Sequence, residues 1–111
     1  MAKKIKHQAK RNEQAQLKEQ ADKALAKVPE GYVFWCHDGS IFGDINELAA
    51  GLVTMSDETF AYHSNLEKQD FSNWVRDVIG DKQLADDLAK ATSRLQAAEY
   101  VAARVTLITG K

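Results

Sequence analysis

The chain has 111 residues, 44% of them apolar and 28% charged, with a formal net charge of −1 at pH 7. This length predicts one domain with its own core. No apolar run exceeds residues 32–36, which excludes a membrane-spanning helix. The single cysteine, Cys36, excludes an internal disulfide and fits a reducing, cytoplasmic compartment. Polar residues throughout 12–30 argue against a signal peptide.

The net charge hides an asymmetry between the two ends of the chain. Residues 1–27 carry eight basic and three acidic residues, whereas residues 28–111 carry seven basic and thirteen acidic residues. A basic arm of this kind binds nucleic acid, ribosomes or anionic surfaces, or else serves as a solvated leader resting on an acidic body. The residues predicted to bind nucleic acid are Lys3, Lys4, Lys6, Lys10 and Arg11.

The arm is predicted to comprise residues 1–30 and to precede a single globular domain over residues 31–111. Residues 1–11 lack apolar periodicity, which predicts disorder. Residues 12–28 predict a weak amphipathic helix that is ordered only against a partner surface. Its thin apolar stripe consists of Leu17, Ala21, Leu25 and Val28.

Residues 32–42 predict a β-hairpin that is apolar on both faces. Asp38 and Gly39 favour a two-residue type I′ turn, which pairs Trp35 with Phe42 and Cys36 with Ile41. Side-chain alternation then places Phe34, Cys36 and Ile41 on one face and Trp35 and Phe42 on the other. Each face must be covered by helices, a third strand or another subunit. The residues predicted to bind a partner are Trp35 and Phe42 of the hairpin with Leu17 and Leu25 of the arm.

The remaining sequence predicts a series of capped helices. Each begins at a residue whose side chain suits an N-cap, and Gly80 suits the end of one of them. The predicted N-caps are Asp44, Ser56, Asp70, Asp81 and Ser93.

The C-terminal region leaves two alternatives open. Residues 84–108 form one long helix, or two with a bend near Thr92 and Ser93. Residues 105–109 are rich in β-branched residues and suit a strand, although the continuous apolar stripe favours a helix. The predicted fold class is α+β and mostly helical, with an N-terminal helical arm, one β-hairpin and a bundle of four to five helices.

A longer pattern runs through residues 32–90. It consists of Asp38 with Gly39, NELA at residues 46–49, MSDETF at 55–60, Tyr62 with His63, and the residue pairs Asp70 with Phe71, Asn73 with Trp74, Gly80 with Asp81 and Leu84 with Ala85, together with RDV at 76–78. This pattern resembles a family of small proteins of unknown function from archaea and some bacteria. The family has no established activity, so the resemblance implies a domain boundary and no mechanism.

Polar residues gather around one predicted helix junction. In one interpretation they satisfy buried backbone groups at the turn. In the other they line a small pocket for a ligand. The cluster comprises His63, Asn65, Asp70, Asn73, Arg76 and Asp77.

No catalytic residue, metal site or cofactor is predicted. Cys36 and His37 point to opposite faces of a strand, and the spacing typical of structural zinc sites does not occur in the sequence. Phosphate-binding and nucleotide-binding glycine motifs do not occur either.

The favoured function is a small non-enzymatic cytoplasmic protein that acts through protein–protein association, as a homo-oligomer or as an adaptor in a larger complex. The first alternative is a ribosome- or nucleic-acid-associated factor that uses the basic arm. The second is a small-ligand binder or enzyme at the polar cluster near His63. No membrane partner is expected.

Overall fold

The computed structural model describes residues 24–109 of the chain. A 3-10 turn, Glu30–Tyr32, leads into an antiparallel hairpin, which is followed by five helices. This architecture confirms the predicted α+β, mostly helical fold class. The elements are β1 Phe34–Trp35, β2 Ile41–Phe42, α1 Ile45–Thr54, α2 Asp57–His63, α3 Asp70–Trp74 with a π-helical turn Val75–Ile79, α4 Lys82–Lys90 and α5 Arg94–Thr109.

Most of the predicted arm, including Leu17 and the five predicted nucleic-acid-binding residues, lies outside the described part of the chain. Ala24 and Leu25 are helical. Ala24 is buried in the core, and Leu25 and Val28 pack against the core. The core therefore includes residues that the sequence assigns to the arm.

The hairpin register differs by one residue from the prediction. Phe34 pairs with Phe42, and Trp35 pairs with Ile41. The backbone N–H of Cys36 donates to the Ser40 carbonyl, and that of Gly39 donates to the Cys36 carbonyl. The loop is therefore the three-residue type, in which a type I turn precedes a residue with positive φ. Gly39 has a φ of +94°, and no described residue other than glycine has a positive φ.

This register moves Phe42 and Ile41 to the opposite faces from those predicted. Side chains alternate along a strand, so a slip of one residue exchanges the two faces. Phe34, Cys36 and Phe42 are buried on the inner face. Trp35 and Ile41 lie on the outer face, where they are 71% and 47% exposed. The prediction that Phe42 binds a partner is therefore wrong, because its ring lies in the core.

The core lies between the inner face of the hairpin and the helices. α5 packs mainly on α1 and α4, while α3 packs on α4. Gly51 of α1 lies directly beneath the ring of Phe42, where a Cβ atom would overlap that ring. The largest fully buried side chains are Ile45, Leu48, Leu52, Val75, Leu84 and Val101.

Local capping chemistry sets most helix starts. The side chains of Asp44, Ser56 and Asp81 accept hydrogen bonds from the backbone N–H groups three residues later. The hydroxyl of Ser93 does the same for Gln96. These predicted caps are confirmed.

Asp70 is an exception among the predicted caps. It is the first residue of α3, and Gln69 holds the cap position without a side-chain hydrogen bond. The carboxylate of Asp70 contacts His63 instead, so the prediction that it caps this helix is wrong.

The C-terminal alternatives are resolved. Residues 84–108 form two helices, because the backbone is extended at Ala91 and α5 begins at Arg94. Residues 105–109 continue α5 and form no strand. In the described part of the chain, no helix is both long enough and apolar enough to cross a bilayer.

Candidate functional site

His63 is the centre of the predicted polar cluster, and both of its ring nitrogens are bonded. Nε2 accepts a hydrogen bond from the backbone N–H of His37, with a nitrogen–nitrogen distance of 2.9 Å. Nδ1 lies 2.9 Å from Oδ2 of Asp70. Because a backbone N–H only donates, the ring proton is on Nδ1 and is donated to Asp70. The hairpin loop, α2 and α3 therefore meet at one imidazole ring.

Aromatic rings enclose this imidazole. Its centroid lies 5.0 Å from that of Phe34 and 5.2 Å from that of Phe71. The side chain of His63 is only 6% exposed. Neither nitrogen faces solvent, so this geometry does not present a general base to a substrate.

Asn65 organises the turn between α2 and α3. Its side-chain oxygen accepts hydrogen bonds from the backbone N–H groups of Glu67 and Lys68. Its amide group donates to the carbonyl of Ala61. These contacts satisfy backbone groups of the turn.

Asn73, Arg76 and Asp77 form a separate group. Arg76 donates to the side-chain oxygens of Asn73 and Asp77 over 2.9 and 3.1 Å. The side chains of Arg76 and Asp77 are 48% and 65% exposed. The predicted cluster thus divides into a pair made of buried His63 and half-buried Asp70, a turn organised by Asn65, and an exposed trio.

Two cavities lie elsewhere in the fold. The larger, of about 270 Å³, is lined by Ala24, Ile79 and Arg104, among others. The smaller, of about 140 Å³, lies between α4 and α5 and includes Tyr100 and Leu107. Neither is lined by a residue of the predicted polar cluster.

Within residues 24–109, no group of three or more His, Cys, Asp or Glu side chains lies close enough together to hold a metal ion. Burial raises the pKa of the Cys36 thiol. This shift favours the protonated thiol, which is a poor metal ligand and a poor nucleophile.

The outer face of the hairpin, formed by Trp35 and Ile41, is an exposed apolar surface. These two side chains are direct cross-strand partners and both are exposed. His37, two residues after Trp35, stacks on Tyr62 with ring centroids 3.9 Å apart. The ammonium of Lys68 lies 4.0 Å from the centroid of the Tyr62 ring.

Of the described residues that were predicted to bind a partner, Trp35 is the one that lies on an open surface. Phe42 is buried, and Leu25 is partly buried against the core. Tyr62 is 48% exposed, although the sequence analysis did not select it as a contact residue. The sequence around Tyr62 gives no signal for its contact with His37, which lies 25 residues earlier in the chain.

Two arginines that the sequence analysis did not single out join distant segments. Arg94 donates to the carbonyls of Leu52 and Val53 and to the carboxylate of Asp57. Arg104 donates to Asp81 over 2.7 Å. Sequence spacing carries no signal for these contacts, since the Arg94 partners lie 37 to 42 residues away.

Comparison with known proteins yields no match among protein-family models, curated proteins or solved structures. The resemblance over residues 32–90 therefore stays a prediction. The functional argument rests on the geometry of the chain itself.

Proposed function

We propose that this protein is non-enzymatic and acts by binding another protein through the outer face of its hairpin, by self-association or as an adaptor. The exposure of Trp35, at 71%, beside its exposed cross-strand partner Ile41 carries this proposal. Tryptophan is enriched among the residues that dominate interface energies. Covering this pair would remove apolar surface from water, which favours association.

The attachment of the hairpin to the core supports this function. On the inner face the rings of Phe34 and Phe42 are stacked, with centroids 5.9 Å apart. The indole N–H of Trp74 donates to the Tyr32 carbonyl just before β1, and His63 holds the loop. A surface fixed in this way loses little conformational entropy when a partner binds.

The charge of the folded body favours a protein partner over a nucleic acid at this face. Residues 24–109 carry thirteen acidic and seven basic side chains. This excess of negative charge repels a phosphate backbone. An apolar contact between proteins does not require phosphate neutralisation.

The test compares two exposed apolar residues. Trp35→Ser removes the proposed contact, and Val53→Ser, on α1, is the control because Val53 is 58% exposed. We expect light scattering of the wild type to show self-association, or affinity purification from the native host to recover a defined partner. Trp35→Ser should lose either interaction, and Val53→Ser should retain it.

Two results together would overturn the proposed function. The wild-type protein would stay monomeric at every concentration, and it would co-purify with the same proteins as Trp35→Ser. Circular dichroism of both variants checks that the fold is unchanged.

The charge of residues 1–27 favours a second candidate function, a ribosome- or nucleic-acid-associated factor. Eight basic residues against three acidic ones provide affinity for phosphate that is independent of sequence and falls with salt. Deletion of residues 1–11 should abolish RNA binding that weakens as the salt concentration rises. RNA binding that is unchanged by the deletion would reject this candidate.

A further inference from the structure

The imidazole of His63 holds the hairpin loop by a hydrogen bond in which the ring is the acceptor. Nε2 accepts the backbone N–H of His37, and Nδ1–H is donated to Asp70. A second proton on the ring must therefore bind at Nε2, where it would face the N–H of His37. We propose that His63 is a pH-sensitive latch, in which protonation at Nε2 releases the backbone of His37 while the ring stays bonded to Asp70.

Burial links protonation of His63 to movement of the loop. Its side chain is 6% exposed and lies between the rings of Phe34 and Phe71. Among the described residues, Nε2 has no hydrogen-bond partner other than His37. A buried donor without an acceptor is unfavourable. His37 and Asp38 are exposed, so water reaches Nε2 once the loop has moved away.

The charges around the ring determine which of its two hydrogen bonds breaks. On α3, the carboxylate of Asp70 accepts the Nδ1–H, and such a bond becomes stronger when its donor is a cation. From the preceding turn, the ammonium of Lys68 lies 3.4 Å from the same carboxylate oxygen and offsets part of this attraction. α2 contributes the phenol of Tyr62, whose ring contacts the imidazole edge. The bond to Asp70 therefore persists, and the bond to the loop is lost.

The hairpin loop contributes three further titratable groups. Burial raises the pKa of the Cys36 thiol, which stays uncharged in acid. The hydrogen bond from the Ser40 backbone N–H lowers the pKa of Asp38, which stays ionised in mild acid. The third group is the imidazole of His37, which stacks on Tyr62. A substitution is needed to separate its titration from that of the latch.

The size of the effect follows from the titration of histidine in water, at about pH 6.5. At pH 5.5, about ten such rings are protonated for each neutral one. Because the released loop admits this proton and the closed loop does not, the ratio of released to closed loop should rise about tenfold from pH 7.5 to pH 5.5. The closed loop is thus favoured as the pH rises and lost as it falls.

Amide hydrogen exchange at two neighbouring residues of the full-length protein tests the latch. The His37 amide is bonded to His63. The Cys36 amide is bonded to the Ser40 carbonyl within the hairpin, so it is the control. We expect the protection factor of the His37 amide to fall about tenfold from pH 7.5 to pH 5.5, after correction for the intrinsic pH dependence of exchange. The protection factor of the Cys36 amide should fall less.

Two substitutions identify the imidazole responsible. His63→Gln places an amide oxygen near the position of Nε2 and takes up no proton in this pH range, so the fall at His37 should disappear. In His37→Gln, the other imidazole is removed, and the amide of residue 37 should show the same fall as in the wild type.

A second measurement needs no substitution. Scalar coupling across the N–H···N bond joins the amide nitrogen of His37 to Nε2 of His63 and reports this bond directly. We expect the coupling at pH 7.5. It should disappear at pH 5.5, as the ring nitrogen shifts of His63 become those of an imidazolium.

Four results would each overturn the proposal. They are a protection factor of the His37 amide that is equal at both pH values, an equal fall at the Cys36 amide, a fall that persists in His63→Gln, and a coupling that remains at pH 5.5. The second result would show that acid opens the whole hairpin rather than the latch. Neither measurement involves a partner, so the outcome is independent of the proposed function.

Discussion

The two faces of the hairpin are alike in composition and opposite in environment. The inner face presents Phe34 and Phe42, which are buried and stacked. The outer face presents Trp35 and Ile41, which are exposed. Apolar character alone therefore does not determine which side of a short ribbon becomes core. The covering helices bury one face and leave the other available.

The largest expected effect distinguishes the two faces directly. Phe34→Ala should lower the free energy of unfolding by about 3–5 kcal/mol, because its ring leaves a cavity among buried aromatic side chains. Trp35→Ala should change it by no more than about 0.5 kcal/mol, because the side chain is largely in water. Urea denaturation of both variants measures the difference, and equal losses would contradict the assignment of faces.

The next effect tests how closely the inner face fits α1. Gly51→Ala would force a methyl group into the Phe42 ring. We expect a loss of about 1–2 kcal/mol, because overpacking outweighs the gain in helix propensity. Gly31→Ala is the control, since no atom lies within 4 Å of a Cβ built there. In a Phe42→Leu background the penalty of Gly51→Ala should shrink, and an unchanged penalty in this double-mutant cycle would refute the contact.

An effect of similar or smaller size tests the turn that determines which face is which. Gly39→Ala should cost about 1–2 kcal/mol, because the residue has a positive φ. Asp38→Gly should cost about 0.5–1 kcal/mol in added chain entropy, and it also removes the hydrogen bond from the Ser40 N–H. A two-residue type I′ turn predicts the opposite sign for Asp38→Gly, since it requires a positive φ at that residue. Thermal denaturation distinguishes the two turns.

The smallest effect is the pH dependence of the same loop. The hydrogen bond from the Ser40 backbone N–H lowers the pKa of Asp38. A carboxyl group whose pKa is lower in the folded state stabilises that state at neutral pH, and it loses this contribution as the pH falls below about 4. NMR titration should show the Ser40 amide signal moving with the Asp38 carboxyl signal. In Asp38→Asn that coupled movement should vanish, and its persistence would implicate another group.

The sequence predicts the parts of the fold that depend on neighbouring residues. Asp44, Ser56 and Asp81 cap helices because each side chain reaches a backbone N–H three residues later. Gly80 ends the helical segment after α3 because it adopts a left-handed conformation, with φ at 86°.

The sequence does not predict features that depend on distant contacts. Asp38 with Gly39 is compatible with both two-residue and three-residue loops. In the folded chain, His63 binds the loop N–H of His37 from 26 residues away. Asp70 is drawn to the same histidine and does not cap its helix. These contacts become apparent only when the elements are assembled.

For the candidate site, too, the sequence predicted what depends on neighbouring residues and missed what depends on distant contacts. Alternation along the strand separates Trp35 from Phe34, which made Trp35 a candidate contact residue. The position of Phe42 depended on the register, and the position of Tyr62 beside the hairpin loop depends on a long-range stack with His37. The six polar residues share a sequence neighbourhood but divide among three local structures.

The contacts of Arg94 join segments that are synthesised at different times. This residue links the start of α5 to carbonyls at the end of α1 and to α2. Helices α1 to α4 emerge from the ribosome before α5, yet the main packing partner of α1 is still missing at that stage. The apolar surface that α1 buries against α5 in the folded protein therefore stays uncovered in the nascent chain until α5 has been synthesised.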